Sequence, residues 1–285
     1  MTSPNASLAI SIYALAVFGL APLVSASFFN LALALGWSVA PIHELTADCL
    51  KLCAVAFAWP LMRACGFNRR EDWGLKCSDG ALQLGKGVLF GLATAGVTVG
   101  VLFLLDIRDW RAGLDSQRVL SALLKASIVA VLVSLIEELW FRGALQRVVG
   151  LARGIFVVAA IYAVLHLVRA DKPVSDPNAW YAGYEALTGM FGRFADPKYI
   201  DGVIALFAAG LVLGWLRWVT GCLAWSFGCH VGWVFQIQLF RRVSTADQTG
   251  DYGWLVSAYD QTIGIAFLII LAASWLLLRR RLGAT

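Results

Sequence analysis

The sequence predicts an all-α, polytopic membrane protein, with about eight transmembrane helices around a polar intramembrane cavity. Three observations lead there. Hydrophobic residues make up 60% of the 285 and charged residues only 14%, against about 25% charged in an ordinary soluble domain; mean hydropathy is +0.74. The apolar residues come in long runs rather than the roughly ten-residue alternation of an outer-membrane barrel, and helices are the other way to satisfy every backbone group in lipid. Finally, two adjacent glutamates, Glu137 and Glu138, sit inside one of the most apolar stretches, Val131 to Arg142. A carboxylate at bilayer depth costs about 3 kcal/mol on insertion scales, so the pair implies a polar interior.

A spanning helix needs roughly 20 apolar residues, and the chain offers eight such segments: 8–28, 46–66, 87–106, 119–147, 151–169, 200–219, 222–240 and 257–278. No Lys or Arg precedes Lys51. A cleaved signal peptide would carry a basic leader, so the first run is expected to stay as a helix. Apolar sequence continues through Leu31–Val39, which reads as a second short or interfacial helix. After the second segment, Asn68-Arg69-Arg70-Glu71-Asp72 opens a polar connection that reaches Lys86. Asp106 to Arg118 is a short loop of mixed charge.

The longest loop, Ala170 to Tyr199, carries Pro173, Pro177 and Pro197 with Trp180, Tyr181, Tyr184, Phe191 and Phe194, aromatics that suit a membrane interface. The last apolar segment ends in Arg279-Arg280-Arg281. A net charge of +5 with this single basic cluster reads as a cytoplasmic anchor, not as a nucleic-acid site. The chain is expected to be one integral membrane domain, 1–285, with its chemistry in 120–240. No internal repeat of the transporter kind is visible. The six cysteines form no CxxC pair and read as buried packing residues rather than disulfides or zinc thiolates.

Chemistry-bearing side chains are few. There are three histidines; His43 falls in a predicted loop, whereas His166 and His230 fall within apolar segments. Glu137 lies ten residues before Arg147, about 15 Å of helix rise; His166 is about 20 Å after Arg153 and His230 about 14 Å after Gly221. In an eight-helix topology these three distances run from the same membrane face, so all three side chains reach similar depth and can converge. Arg142 follows Glu138 by four residues and shares its helix face, which makes Glu138 a structural partner and leaves Glu137 as the reactive carboxylate. Such a carboxylate suits a general base acting on water, with imidazoles positioning that water or stabilising an oxyanion. Glu137, His166 and His230 also form a His₂Glu set that could hold zinc with an open position; the expectation is no cofactor, with zinc as the alternative.

Glu137-Glu138-Leu139-Trp140-Phe141-Arg142 resembles the EExxxR motif of the CAAX-processing and bacteriocin-processing (CPBP, or Abi) intramembrane proteases. Tyr162 to His166 resembles their FxxxH motif, with Tyr for Phe. Gly210 to Arg217, Thr220 to Leu223 and His230 to Trp233 are similar to their last motif region. The resemblance covers roughly 120–240. It implies eight helices around a cavity, Glu137 as catalytic base, His166 and His230 as its partners, and a membrane-associated protein or peptide as substrate. The family's last motif usually carries Asn or Asp four residues after the histidine, where this chain has Val234. Trp233, with an indole N–H on a nearby face, is then the candidate donor, with Tyr162 a further supporting residue. The competing readings are a non-catalytic scaffold or bacteriocin self-protection protein of the same fold, and a proton-coupled carrier.

Overall fold

The computed structural model describes residues 4–169 and 172–282. Contacts gather them into two compact units, one formed by residues up to 68 together with 164–197, the other by 69–163 together with 198 onward.

The first unit is built on α1 (Pro4–Ala34), α2 (Ile42–Ala64) and α7 (Ala182–Gly189). Helix α1 runs past the expected end at residue 28, because the apolar stretch after Leu31 simply continues the helix to Ala34. It stops near Gly36, whose φ of 73° is the left-handed conformation that closes helices. Phe29, Ile42 and Ala182 form the unit's packed centre. Polar side chains tie the helices together: Ser25 and Thr46 hydroxyls meet at 2.8 Å, and the Tyr184 hydroxyl donates to the Gly19 carbonyl at 2.7 Å. The predicted long loop therefore contains a helix, followed by a 3₁₀ turn at Met190–Ala195; its residues 170 and 171 lie outside the described residues. Trp180, Tyr181, Phe191 and Phe194 are exposed, as interfacial aromatics would be.

The second unit contains α3 (Gly80–Leu104), β1 (Arg108–Trp110), α4 (Ser116–Glu137), a π-helical segment (Glu138–Leu145), α5 (Gln146–Val149), most of α6 (Leu151–Leu167), α8 (Ile200–Thr220), α9 (Ala224–Val243), β2 (Ser244–Ala246) and α10 (Ile265–Leu282). Its most intimate contact is between α3 and α9. Gly87 and Gly91 of α3 face Gly228 and Gly232 of α9, so that the two backbones touch. A Cβ at Gly91 would collide with the Cys229 carbonyl, and one at Gly228 with the Leu84 carbonyl. Small residues four apart on both helices are the usual device for close approach in lipid, where burial gives no hydrophobic drive. At one end, β1 pairs antiparallel with β2. Helix α10 starts later than the predicted 257, because Asp260 accepts from the amides of Thr262 and Ile263 and holds that stretch as a turn.

Among the described residues, five helices are long and apolar enough to span a bilayer: Leu8–Ala34, Ile42–Ala64, Gly80–Leu104, Ser116–Val149 and Pro197–Thr220; Leu151–Leu167 is a shorter apolar helix. The chain is an all-α, integral, multi-pass membrane protein.

Candidate active site

The Asp115 side chain starts α4 by accepting from the Arg118 amide at 2.7 Å. The helix then runs regularly to Glu137 and widens into a π-helix from Glu138 to Leu145. π segments are uncommon and concentrate at functional sites, because they re-aim side chains within a helix. Here both glutamates meet one histidine. Nδ1 of His230 lies 3.1 Å from Glu138 Oε1, and Nε2 lies 3.7 Å from Glu137 Oε2.

The two carboxylates differ in setting. Glu138 is 1% exposed and pairs with Arg142, Nη1 to Oε1 at 3.0 Å, as their four-residue spacing predicts. Glu137 keeps 24% of its side chain exposed. The guanidinium of Arg142, also 1% exposed, is held on several sides. It lies 4.6 Å over the Tyr162 ring and 5.5 Å over Phe141, and Nη2 reaches the Gly210 carbonyl at 3.5 Å. Tyr162 in turn stands edge-on to Phe141 and to His230, with centroids 5.1 and 6.1 Å apart. Buried charges persist when paired and hydrogen-bonded; Glu138, Arg142 and His230 form such a set, wrapped in aromatic rings.

His230 owes its position to α9. It lies between Gly228 and Gly232, the residues that seat α9 on α3. Ser226, fully buried one turn earlier, faces the Glu138 carboxylate and donates to the Leu223 carbonyl. Beside this cluster is a cleft of about 310 Å³, walled by residues that include Gly74, Leu75, Cys77, Leu135, Glu138 and Phe227.

Trp233 has partners of its own. The Trp233 N–H donates to the Thr94 hydroxyl at 2.7 Å, and the ring packs edge-on to Phe267. In this structure the indole packs α9 against α3 and α10. His166 lies in the last turn of α6, half-buried, and is grouped with the first compact unit. Among the described residues, no group of three His, Cys, Asp or Glu side chains could hold a metal ion.

Residues 119–236 match the family model of the type II CAAX prenyl endopeptidases, Rce1-like. The match supports a relationship of that segment to the CAAX-protease family. It begins in the first turn of α4 and ends on α9, so it takes in both glutamates, Arg142, Tyr162, His166 and His230. No match to the chain was found among curated proteins or solved structures. At the level of the family, the match supports a CAAX-type intramembrane protease and suggests a membrane-associated protein as substrate.

Two features were not foreseen. Ser226 had one sequence signal, its place four residues before His230 on the same face. Cys77 and Cys222 form a disulfide, contrary to the expectation of unpaired burial. They are 145 residues apart in sequence, and nothing local to either points to the other. Cys49, Cys53, Cys65 and Cys229 remain thiols.

Proposed function

We propose that the protein is an intramembrane endopeptidase in which Glu137 activates water and His230 positions it. The observation that carries this reading is the histidine held between two glutamates of unequal exposure. Glu138, balanced by Arg142, accepts a proton-bearing Nδ1 and so fixes the ring and its tautomer, as a carboxylate does behind many catalytic imidazoles. Nε2 is left as an acceptor facing Glu137. A gap of 3.7 Å is too long for a direct hydrogen bond and suits a water bridging the two groups. Glu137 takes a proton from that water as its oxygen bonds to the scissile carbonyl carbon. The same proton then passes to the amide nitrogen as the C–N bond breaks. His166, one turn beyond Tyr162 on α6, is proposed to stabilise the oxyanion.

The test is cleavage of a panel of membrane-anchored, quenched peptides by purified protein. Glu137→Gln keeps the size of the side chain and loses the base; general-base catalysis is worth about 10²–10⁴-fold, and a loss of that size is expected. His166→Ala and His230→Ala should each cost at least tenfold, and a chelator should leave the wild-type rate unchanged. Loss of activity with the chelator, restored by zinc, would transfer the chemistry to a metal. Val234 favours a second reading, a non-catalytic protein of this fold. It prevails if wild type and Glu137→Gln are equally inert on every peptide while both support the protein's role in cells.

A further inference from the structure

The 69–79 connection does more than link two helices. Gly74, Leu75 and Cys77 supply one wall of the cleft beside Glu138, while Leu223 and Ala224, at the turn into α9, supply another. Besides the Asp72–Arg147 ion pair, three ties hold the part of the first wall from Gly74 to Cys77. The Leu223 amide donates to the Gly74 carbonyl at 2.8 Å. The Arg217 guanidinium packs against Gly74, where a Cβ would stand 2.6 Å from its Cζ. The third tie is covalent, the Cys77–Cys222 disulfide.

We propose that Cys77–Cys222 is a thiol–disulfide exchange site that sets the width of this cleft. The two sulfurs differ in the way exchange requires. Cys77 is half-exposed and lines the cleft, whereas Cys222 is 2% exposed. A dithiol reductant therefore attacks Cys77 Sγ. A new S–S bond forms to the reductant, and Cys222 leaves as thiolate and takes up a proton. Its acceptor is already in place, since Gln83 Oε1 lies 3.1 Å from Cys222 Sγ. The reductant's second thiol then attacks its own sulfur in the mixed disulfide, releasing Cys77 and leaving as a cyclic disulfide. Two electrons and two protons pass to the protein. The loop bears Arg69, Arg70 and Lys76, with Lys86 in the second turn of α3, the charge pattern of a cytoplasmic connection. Disulfides facing the cytosol are characteristically transient or redox-sensing rather than structural. After reduction the Asp72–Gly74 part of the wall keeps the Leu223–Gly74 hydrogen bond, the Arg217 contacts with Gly74 and the Asp72 carbonyl, and the Asp72–Arg147 ion pair at 3.1 Å, while the stretch beyond Gly74 that carries Leu75 and Cys77 can move away from Glu138.

The experiment uses the full chain in nanodiscs, oxidised and then treated with dithiothreitol. Two readouts do not need activity: maleimide labelling mapped to individual cysteines, and the rate of trypsin cleavage at exposed Arg69, Arg70 and Lys76. Reduction should add labels at Cys77 and Cys222 and speed trypsin at least fivefold, with reversal on reoxidation. Cys77→Ser/Cys222→Ser should cut at the fast rate in either condition. The third readout, peptide cleavage, rests on the protease reading, and there reduction should raise KM at least threefold. Labels gained with no change in trypsin rate would show a static tie and overturn the proposal, as would labels gained only after denaturation. A trypsin and labelling response in a protein that cleaves no peptide would sustain the exchange site and overturn the protease reading instead.

Discussion

Arg142 is a fully buried cation whose charge is met by one carboxylate and two aromatic faces. Truncating one member of a buried pair costs about 3–5 kcal/mol, because the other charge is stranded. Arg142→Ala should therefore lower the unfolding midpoint in detergent sharply, and Glu138→Gln on that background should recover part of the loss. If the double variant is no more stable than Arg142→Ala, the stranded carboxylate is not the cause. The EExxxR spacing alone announced this pair. Trp233 was not legible in the same way, because its partner Thr94 lies on another helix. Trp233→Phe removes that one hydrogen bond, worth about 1 kcal/mol, and should leave kcat of the folded protein within threefold of wild type. An oxyanion donor would cost about 10²–10³-fold, so kinetics on folded material separate the two roles. Val234→Asn, which places an amide where the family has one, is expected to raise kcat.

The helices carry a second level of specification. Among the described residues a helix lies on each of the eight apolar runs, but five helices are long and apolar enough to cross a bilayer, and the helix at Ala182–Gly189 was not foreseen. Hydropathy carries no sign of the π-helical segment; regular α geometry would set consecutive glutamates about 100° apart, whereas here both reach His230. The α3–α9 seam was present in the sequence as Gly87/Gly91 and Gly228/Gly232, yet it had meaning only once those helices were known to be neighbours. It supports a controlled prediction. Gly91→Ala puts a methyl group into the Cys229 carbonyl, whereas Gly100→Ala on the same helix meets nothing within 4 Å. Gly91→Ala should pry α9 away, displace His230, and lower both thermal stability and peptide cleavage. Gly100→Ala should be neutral or stabilising by up to about 1 kcal/mol from helix propensity. Equal behaviour of the two variants would mean that the seam does not position the histidine.

On the scale of the whole molecule, the second unit also depends on a clamp beyond the spanning segments, where α3 and α9 end and α10 begins. Arg108 of β1, 2% exposed, donates to the Phe240 and Gln261 carbonyls and to the Ser244 and Thr262 hydroxyls. Asp260 lies in the same turn. Burial raises its carboxyl above the usual range, against the opposing pull of the Ile263 and Thr262 amides and of Arg241 and Arg108. A carboxyl with a folded pKa above its unfolded value favours the folded state below the unfolded pKa, near 4. That contribution is lost as pH rises through the folded value. Removing Arg108 takes away one of the cations that hold the shift down, so the folded value climbs further and the loss grows. Arg108→Ala should thus cost on the order of 3 kcal/mol at pH 8 and measurably less near pH 4. In Arg108→Ala/Asp260→Asn the extra pH dependence should vanish. Unfolding midpoints measured across that range decide it: a penalty that is the same at both pH values would show that Arg108 acts through its hydrogen bonds alone and that Asp260 does not sense its charge.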